Sequence, residues 1–405
     1  MNEQIIQVLE RLDKHLTNEY LKDGPVNISF ASGHTGVAMF YGYYFLLTKD
    51  SQHQQKCAML VDRLIDHIST EEHFKLTLCD GLAGVCFCIN HLIKLKVIEG
   101  DDDIFEEADE FILRTAIGKL AGANYDLLHG GIGMALYLFH RSNGNYDSLT
   151  PLVEALNRSS LKNDDGLFWI DSVTQLGKEG NIPKVNFGLA HGITSIAGFL
   201  GHLVKKNAGG NLAQDVLRNT VSFLTRNSNY KEWNYVFPST VPAFKGKSVE
   251  ELRQKNRSRL AWCYGDLGIS LPLMRAAEAL KDNELNDLAL WAAHNSLKKT
   301  RFEETAVNDG GLCHGYASVS HIYNRLYLKT KDQQFEEGSR RWLNGLLRYI
   351  DFHGGIENFK SYNGESQAYE LSHGFLTGGT GAGLTLISIM DKNIDPAWDQ
   401  WLMLS

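Results

Sequence analysis

The sequence predicts an all-α protein, folded as an α/α toroid of seven helical hairpins with seven inner and seven outer helices. Three observations lead to this fold class. A short glycine motif occurs seven times along the 405 residues, amphipathic segments fill the intervals, and the apolar alternation typical of strands is short and sporadic. An open helical solenoid would share these features. We favour the closed ring because the first and last copies lack obvious polar caps.

Each copy of the motif has the form G-x-x-G, followed by a run of small and apolar residues. Ser195 and Ser318 replace the second glycine in the fourth and sixth copies. The first glycines are Gly33, Gly81, Gly130, Gly192, Gly265, Gly315 and Gly378. An interval of about 50 residues accommodates two helices of ordinary length and two loops. Each copy, together with the amphipathic segment before it, therefore predicts one helical hairpin.

The run after each glycine is apolar nearly all round, which predicts a buried inner helix. Between the copies, apolar residues recur at three and four positions, as expected of outer helices that bury one face. Clear examples are residues 57–70, 104–120, 212–226 and 284–299. We expect a single domain over residues 1–405. An irregular insertion at about 227–258 would be either a lid over one rim or an inert loop.

Composition and charge exclude several classes of protein. Hydrophobic residues make up 43% and charged residues 22%, which is enough apolar surface for a large core. The net charge is -8 and no basic run is interleaved with aromatic residues, so nucleic-acid binding is not expected. No apolar run is long enough to predict a transmembrane segment. The N-terminal residues lack the basic-then-apolar order of a signal peptide, so we expect a cytoplasmic protein.

Two neighbouring copies of the motif predict a metal site. Cys263 and Cys313 each stand two positions before the first glycine, so equivalent repeats would bring them together; His314 adds an imidazole. Two thiolates and one imidazole are ligands that zinc prefers, and three protein ligands leave one coordination position open, as in catalytic sites. We therefore predict a Zn²⁺ cofactor. The alternative is two core cysteines beside a histidine that caps a helix.

Three further residues near motif glycines are candidates for catalysis. His191 directly precedes Gly192, and an imidazole there could act as an acid or base near neutral pH. Asp126 lies four positions before its glycine, and Arg259 four positions before Cys263. Arg259 could stabilise a developing oxyanion. The alternatives are a cap or a packed side chain for the histidine, a helix N-cap for the aspartate and a surface position for the arginine.

The combination of YDLLHGG, GLAHG, AWCYGDLG and GLCHG in a chain of seven repeats resembles the lanthionine cyclases, the LanC-like family. The resemblance covers roughly residues 25 to 392. It implies the α/α toroid with a zinc ion at the centre of one end. The implied zinc ligands are Cys263, Cys313 and His314. The implied catalytic residues are His191, Asp126 and Arg259.

The resemblance also implies the reaction. A cysteine thiol of a dehydrated precursor peptide would add to dehydroalanine or dehydrobutyrine, giving a thioether ring of lanthionine or methyllanthionine. His191 would transfer the proton, oriented by Asp126, and Arg259 would steady the enolate oxygen or position Asp126. Implied partners are the precursor peptide and a complex with a dehydratase and a transporter, which would place the protein at the membrane periphery.

Three alternative functions remain at this stage. A relative with the same site could add glutathione to dehydroamino acids. A non-catalytic scaffold could bind a leader peptide, but it would not need an open zinc site. A toroidal glycosidase would use paired carboxylates. The motifs here carry Asp80, Asp126 and Asp266 near helix starts, with no accompanying glutamate.

Overall fold

The computed structural model describes residues 2–71, 73–171, 183–228, 235–244, 258–364 and 366–405. The chain forms two compact units. The first comprises Met1–Glu107 and Val307–Gln400, and the second comprises Ala108–Ala306 and Trp401–Ser405.

The described residues are mostly helical. The helices are α1 (Asn2–Tyr20), α2 (His34–Thr48), α3 (Ser51–Thr70), α4 (Leu82–Lys94), α5 (Glu106–Ala121), α6 (Gly131–Arg141), α7 (Thr150–Ser159), α8 (Ile193–Lys205), α9 (Gly210–Arg226), α10 (Asp266–Leu280), α11 (Asn283–Leu297), α12 (Phe302–Thr305), α13 (Tyr316–Thr330), α14 (Gln333–Phe352) and α15 (Gly379–Met390). Short 3₁₀ helices lie at Asp102–Phe105, Asp147–Leu149, Ile356–Asn358 and Ala397–Leu402.

Within the described residues, six short strands form three antiparallel pairs that the sequence did not predict. They are β1 (Leu161–Asn163) with β2 (Gly166–Phe168), β3 (Lys184–Asn186) with β4 (Thr240–Pro242), and β5 (Lys360–Asn363) with β6 (Ala368–Leu371). Each strand has only three or four residues. A segment that short gives almost no alternating pattern to detect.

The seven predicted inner helices are confirmed, and each begins at the residue after a motif glycine. They are α2, α4, α6, α8, α10, α13 and α15. In α15, for example, every residue from Gly379 to Ser388 is buried. In the described part of the chain, seven amphipathic helices alternate with them, namely α1, α3, α5, α7, α9, α11 and α14. Helix α14 shows their character, because it buries one face that includes Phe335, Leu343 and Ile350.

The motif glycine is required because the loop before each inner helix folds back on the helix start. The His34 amide donates to the Asn27 carbonyl at 2.8 Å, and a Cβ on Gly33 would lie 2.2 Å from that carbonyl oxygen. The corresponding bonds run from Leu82 to Lys75, Gly131 to Asn124, and Tyr316 to Asp309, at 2.8, 2.9 and 2.8 Å. The repeat is therefore one loop geometry, and side chains at equivalent positions emerge from equivalent places.

Within the first unit, the last copy of the motif lies beside the first. The Leu376 amide donates to the Ala31 carbonyl at 2.9 Å, and the Phe375 and Phe30 rings meet edge to face with centroids 4.8 Å apart. An open solenoid would place these terminal copies at opposite ends. Their contact favours the closed ring.

Backbone hydrogen bonds also join other neighbouring motif loops. In the first unit, the Phe30 amide donates to the Cys79 carbonyl at 2.9 Å. In the second unit, the Leu127 amide donates to the Ala190 carbonyl at 3.2 Å, and the Leu189 amide to the Cys263 carbonyl at 2.9 Å. These bonds fix the loops that carry the candidate functional residues.

The predicted insertion at 227–258 lies partly outside the described residues, which omit 229–234 and 245–257. The described part contains β4, which pairs with β3. The amides of Val236 and Phe237 donate to the buried Asp266 carboxylate at 3.0 and 2.9 Å. Whether the segment acts as a lid, and the single-domain organisation, stay predictions. Across the described residues, no helix is both long enough and apolar enough to cross a membrane.

Candidate active site

Asp126 and His191, two of the three predicted catalytic residues, form a hydrogen-bonded pair in the second unit. His191 Nδ1 lies 2.5 Å from Asp126 Oδ2. The Asp126 side chain is fully buried, whereas 26% of the His191 side chain is exposed. Asp126 Oδ1 accepts the amides of Leu128 and His129, both at 2.8 Å. Asp126 therefore caps its own loop, as the alternative interpretation held, and it also orients the imidazole.

The carboxylate alters the acidity of the histidine. Burial by itself would lower the pKa of His191, but the hydrogen bond and charge of Asp126, with the charges of Cys263 and Asp171, raise that pKa above its usual value. A carboxylate can only accept, so Nδ1 carries the proton that faces Asp126. Nε2 is then the nitrogen that can exchange a proton with a substrate.

Cys263 and Tyr264 end the loop before α10 in the same unit. The Cys263 side chain is buried, and its backbone carbonyl accepts the Leu189 amide. Burial raises the pKa of Tyr264 to about 12, so the phenol stays neutral. The Asn186 amide donates to the Tyr264 hydroxyl and to Asp171 Oδ2, each at 3.0 Å. The phenol can therefore use its own O–H as a donor.

Arg259, the third predicted catalytic residue, is half-buried, and its guanidinium contacts the C-terminal end of α12. Its Nη2 donates to the Ala306 carbonyl at 3.0 Å, and its Nε is buried without a partner among the described residues. The described structure has no hydrogen bond from Arg259 to Asp126 or His191. A catalytic role for Arg259 stays a prediction.

Cys313 and His314 precede α13 in the first unit. The Cys313 amide donates to the Leu376 carbonyl at 2.8 Å. His314 Nε2 lies 3.2 Å from Asp309 Oδ2. Burial by itself would raise the pKa of Asp309, but His314 and the amides of Gly311 and Tyr362 hold that pKa below its usual value. The His314 ring is thus oriented by an ionised carboxylate.

The predicted zinc ligands fit a metal. Cys263 lies in the second unit and Cys313 and His314 in the first, and each of the three side chains is of a type that binds zinc. Two thiolates and one imidazole match the donors of a catalytic zinc site. The Asp309 carboxylate on His314 matches the way proteins orient an imidazole that binds metal. The zinc ion itself stays a prediction.

Sequence reasoning missed the residues that support these side chains. Asp309 stands six positions before Gly315, where Asn27, Asn124 and Asn186 stand in other copies, so the repeat register held a signal for it. Asp171 lies outside the motifs. Its amide donates to the Lys184 carbonyl on β3 at 2.9 Å and its carboxylate accepts from the Asn186 amide, contacts that no local pattern indicated.

Comparisons with known proteins agree with the fold. The family described as "Lanthionine synthetase C-like protein" matches residues 24–403. "Nisin biosynthesis protein NisC" of Lactococcus lactis subsp. lactis is 24% identical over 313 residues, covering 72% of this chain and 73% of that protein. The solved structure of nisin cyclase superposes with a TM-score of 0.74 at 18% identity, over 99% of this chain and 97% of the other.

A more distant structure shows how widely the architecture is used. An unsaturated glucuronyl hydrolase specific for heparin superposes with a TM-score of 0.51 at 12% identity, over 96% of both chains. At such identities the likeness shows the fold alone, because one fold hosts unrelated chemistries. The nisin cyclase match confirms the predicted α/α toroid. Together with the family match over residues 24–403, it places this chain in the lanthionine synthetase C-like family.

Proposed function

We propose that this chain is a zinc-dependent lanthionine cyclase. It adds the cysteine thiols of a dehydrated precursor peptide to dehydroalanine or dehydrobutyrine and closes thioether rings of lanthionine or methyllanthionine. The observation that carries the proposal is the hydrogen-bonded pair of Asp126 and His191. Cys263 lies in the same unit, and its charge helps to raise the pKa of the His191 imidazole. Family membership supports the same activity.

The thiol must react as a thiolate. Cys263, Cys313 and His314 would hold a zinc ion, which when bound lowers the pKa of a coordinated thiol so that the thiolate forms near neutral pH. Three protein ligands would leave one coordination position open, the ligand count of a catalytic zinc site. The Asp309 carboxylate, 3.2 Å from His314 Nε2, orients the imidazole of one of those ligands.

The addition needs a proton at the α-carbon. As the sulfur bonds to the β-carbon, the electron pair of the Cα=Cβ bond moves toward the carbonyl oxygen and gives an enolate. Protonated His191 donates from Nε2 to the α-carbon, since Asp126 holds Nδ1–H. The proton that the peptide thiol releases replaces the one that His191 donates, so no net proton is gained or lost. Arg259 would assist by stabilising the enolate oxygen.

The proposed setting follows from the substrate. The partner is a precursor peptide that carries cysteines and dehydroamino acids, delivered by a dehydratase and passed on to a transporter. We propose that the protein works in the cytoplasm, where thiols stay reduced, and reaches the membrane periphery only through such a complex.

The experiment uses a synthetic peptide with one dehydroalanine and one cysteine, incubated with the zinc-loaded protein. Ring closure removes the free thiol without a change in mass, and His191→Asn should abolish this loss. The matched control is His73→Asn at an exposed position, which should leave the loss of free thiol unchanged. Unchanged thiol with wild-type protein would contradict the proposal. A peptide heavier by one glutathione, formed only when glutathione is present, would favour the glutathione alternative.

A further inference from the structure

Asp309 joins a proposed zinc ligand to a loop and a strand within the first unit. Its side chain is 1% exposed. Oδ1 accepts the Gly311 amide at 3.0 Å, and Oδ2 accepts the Tyr362 amide at 3.2 Å. Oδ2 also lies 3.2 Å from His314 Nε2. Every oxygen of this buried carboxylate is therefore engaged.

We infer that Asp309 is a positioning residue that fixes the tautomer and the ring orientation of His314, so that Nδ1 ligates the zinc ion. The inference rests on the proposed function. A carboxylate can only accept a hydrogen bond, so Nε2 of His314 must carry the proton. In the neutral ring Nδ1 then holds the lone pair, and a carboxylate on the other nitrogen raises the basicity of the ligand.

A comparison between repeats separates this role from a purely structural one. At the equivalent position, the side-chain oxygens of Asn27 and Asn186 accept the amide two residues on, at 3.0 and 2.8 Å. A neutral amide is therefore enough to hold the turn. The negative charge of Asp309 is needed only for the contacts of Oδ2 with the Tyr362 amide and His314 Nε2.

The β5–β6 hairpin holds this loop from its other side. The Tyr362 amide on β5 donates to Asp309, and the Tyr369 hydroxyl on β6 donates to the Asn308 carbonyl at 2.9 Å. The carboxylate is thereby fixed between a strand and the histidine. Little freedom remains for the His314 ring to turn.

The test is the zinc affinity of Asp309→Asn, measured by competition with a chromophoric chelator, so that activity is not the readout. The variant keeps an oxygen for the Gly311 amide but cannot hold His314 Nε2–H and the Tyr362 amide together. We expect the dissociation constant to rise about 10- to 100-fold, the usual effect of losing such a partner. The control is Asp50→Asn, which changes a helix cap that accepts the Gln52 amide at 2.9 Å. It should leave the affinity unchanged.

A second variant shows whether the effect passes through the histidine. In a His314→Ala background, Asp309→Asn should no longer change the remaining zinc affinity, whereas a general loosening of the fold would still weaken binding. If Asp309→Asn does not fold, Asp309→Ser replaces it, because a serine oxygen can still accept the Gly311 amide.

The outcomes distinguish the two proposals. Wild-type protein that binds zinc, with equal affinity in Asp309→Asn, would overturn this inference and leave the proposed function intact. Equal losses with and without His314 would also overturn it. A wild-type protein that binds no zinc would overturn both.

Discussion

The Asp126→Asn variant tests the proton-transfer pair most sharply, because it removes the charge beside His191 but keeps an oxygen for the hydrogen bonds that hold the loop. The asparagine oxygen can still accept the amides of Leu128 and His129, so the loop should stay folded. Its NH₂ group would face His191 Nδ1 in place of an oxygen 2.5 Å away. An amide donor there demands the opposite tautomer, with the proton on Nε2.

The size of the effect follows from the group that is lost. Asp126 is fully buried and is the main cause that raises the pKa of His191, so without its charge the buried imidazole becomes a weaker base. Acid–base catalysis by a positioned side chain is worth about 10²- to 10⁴-fold. We therefore expect kcat/KM to fall by about that factor, or about 3 to 5 kcal/mol at 1.36 kcal/mol per decade.

The assay follows loss of the peptide thiol, together with NMR titration of the His191 ring. The pKa of His191 should fall in Asp126→Asn, since burial, which lowers it, is then unopposed by the carboxylate. Protonated imidazole would persist only to a lower pH than in wild type. An active variant with an unshifted His191 pKa would refute the reasoning, as would a loss of activity explained by unfolding.

Three further predictions concern the fold and the metal. Gly33→Ala should destabilise the protein by about 1 to 3 kcal/mol in urea unfolding, because its Cβ would lie 2.2 Å from a backbone carbonyl, whereas Gly24→Ala, with nothing within 4 Å, should be neutral. Asp399 is fully buried against Arg325, and the pKa of its carboxyl lies below the usual value. The ionised carboxylate therefore stabilises the fold above the unfolded pKa of about 3.9, and that stability should be lost as the pH falls below 4. Urea midpoints that stay constant between pH 7 and pH 3 would contradict this. Cys57→Ala should leave zinc binding unchanged, because Cys57 is a buried thiol on α3 whose pKa burial raises to about 12; loss of zinc by elemental analysis would show that the ligands are wrongly assigned.

The sequence predicts the helical framework well because the determining signal is local. A glycine before an apolar run marks each inner helix, and the close approach of a carbonyl explains why no larger residue suits Gly33. The same register predicts Asp126 and His191, because it places both near motif glycines. The repeat therefore carries fold and site together.

The supporting contacts could not be predicted because they join segments distant in sequence. Asp309 reaches Tyr362, 53 residues on, through a hairpin with no detectable alternation. Asn186 meets Tyr264 across 78 residues. Arg259 stands at the expected place in the sequence, yet its guanidinium bonds to Ala306, which only the tertiary structure reveals.

The most direct measurement is the zinc content of wild-type protein and of Cys313→Ala, purified without added metal and analysed for elements. The account predicts about one zinc ion per wild-type chain, since three protein ligands hold a single ion, and its near-complete loss in the variant. Wild-type protein that lacks zinc and takes up none on supplementation would contradict the central claim. The chain would then be a toroidal scaffold that retains the family pattern without its chemistry.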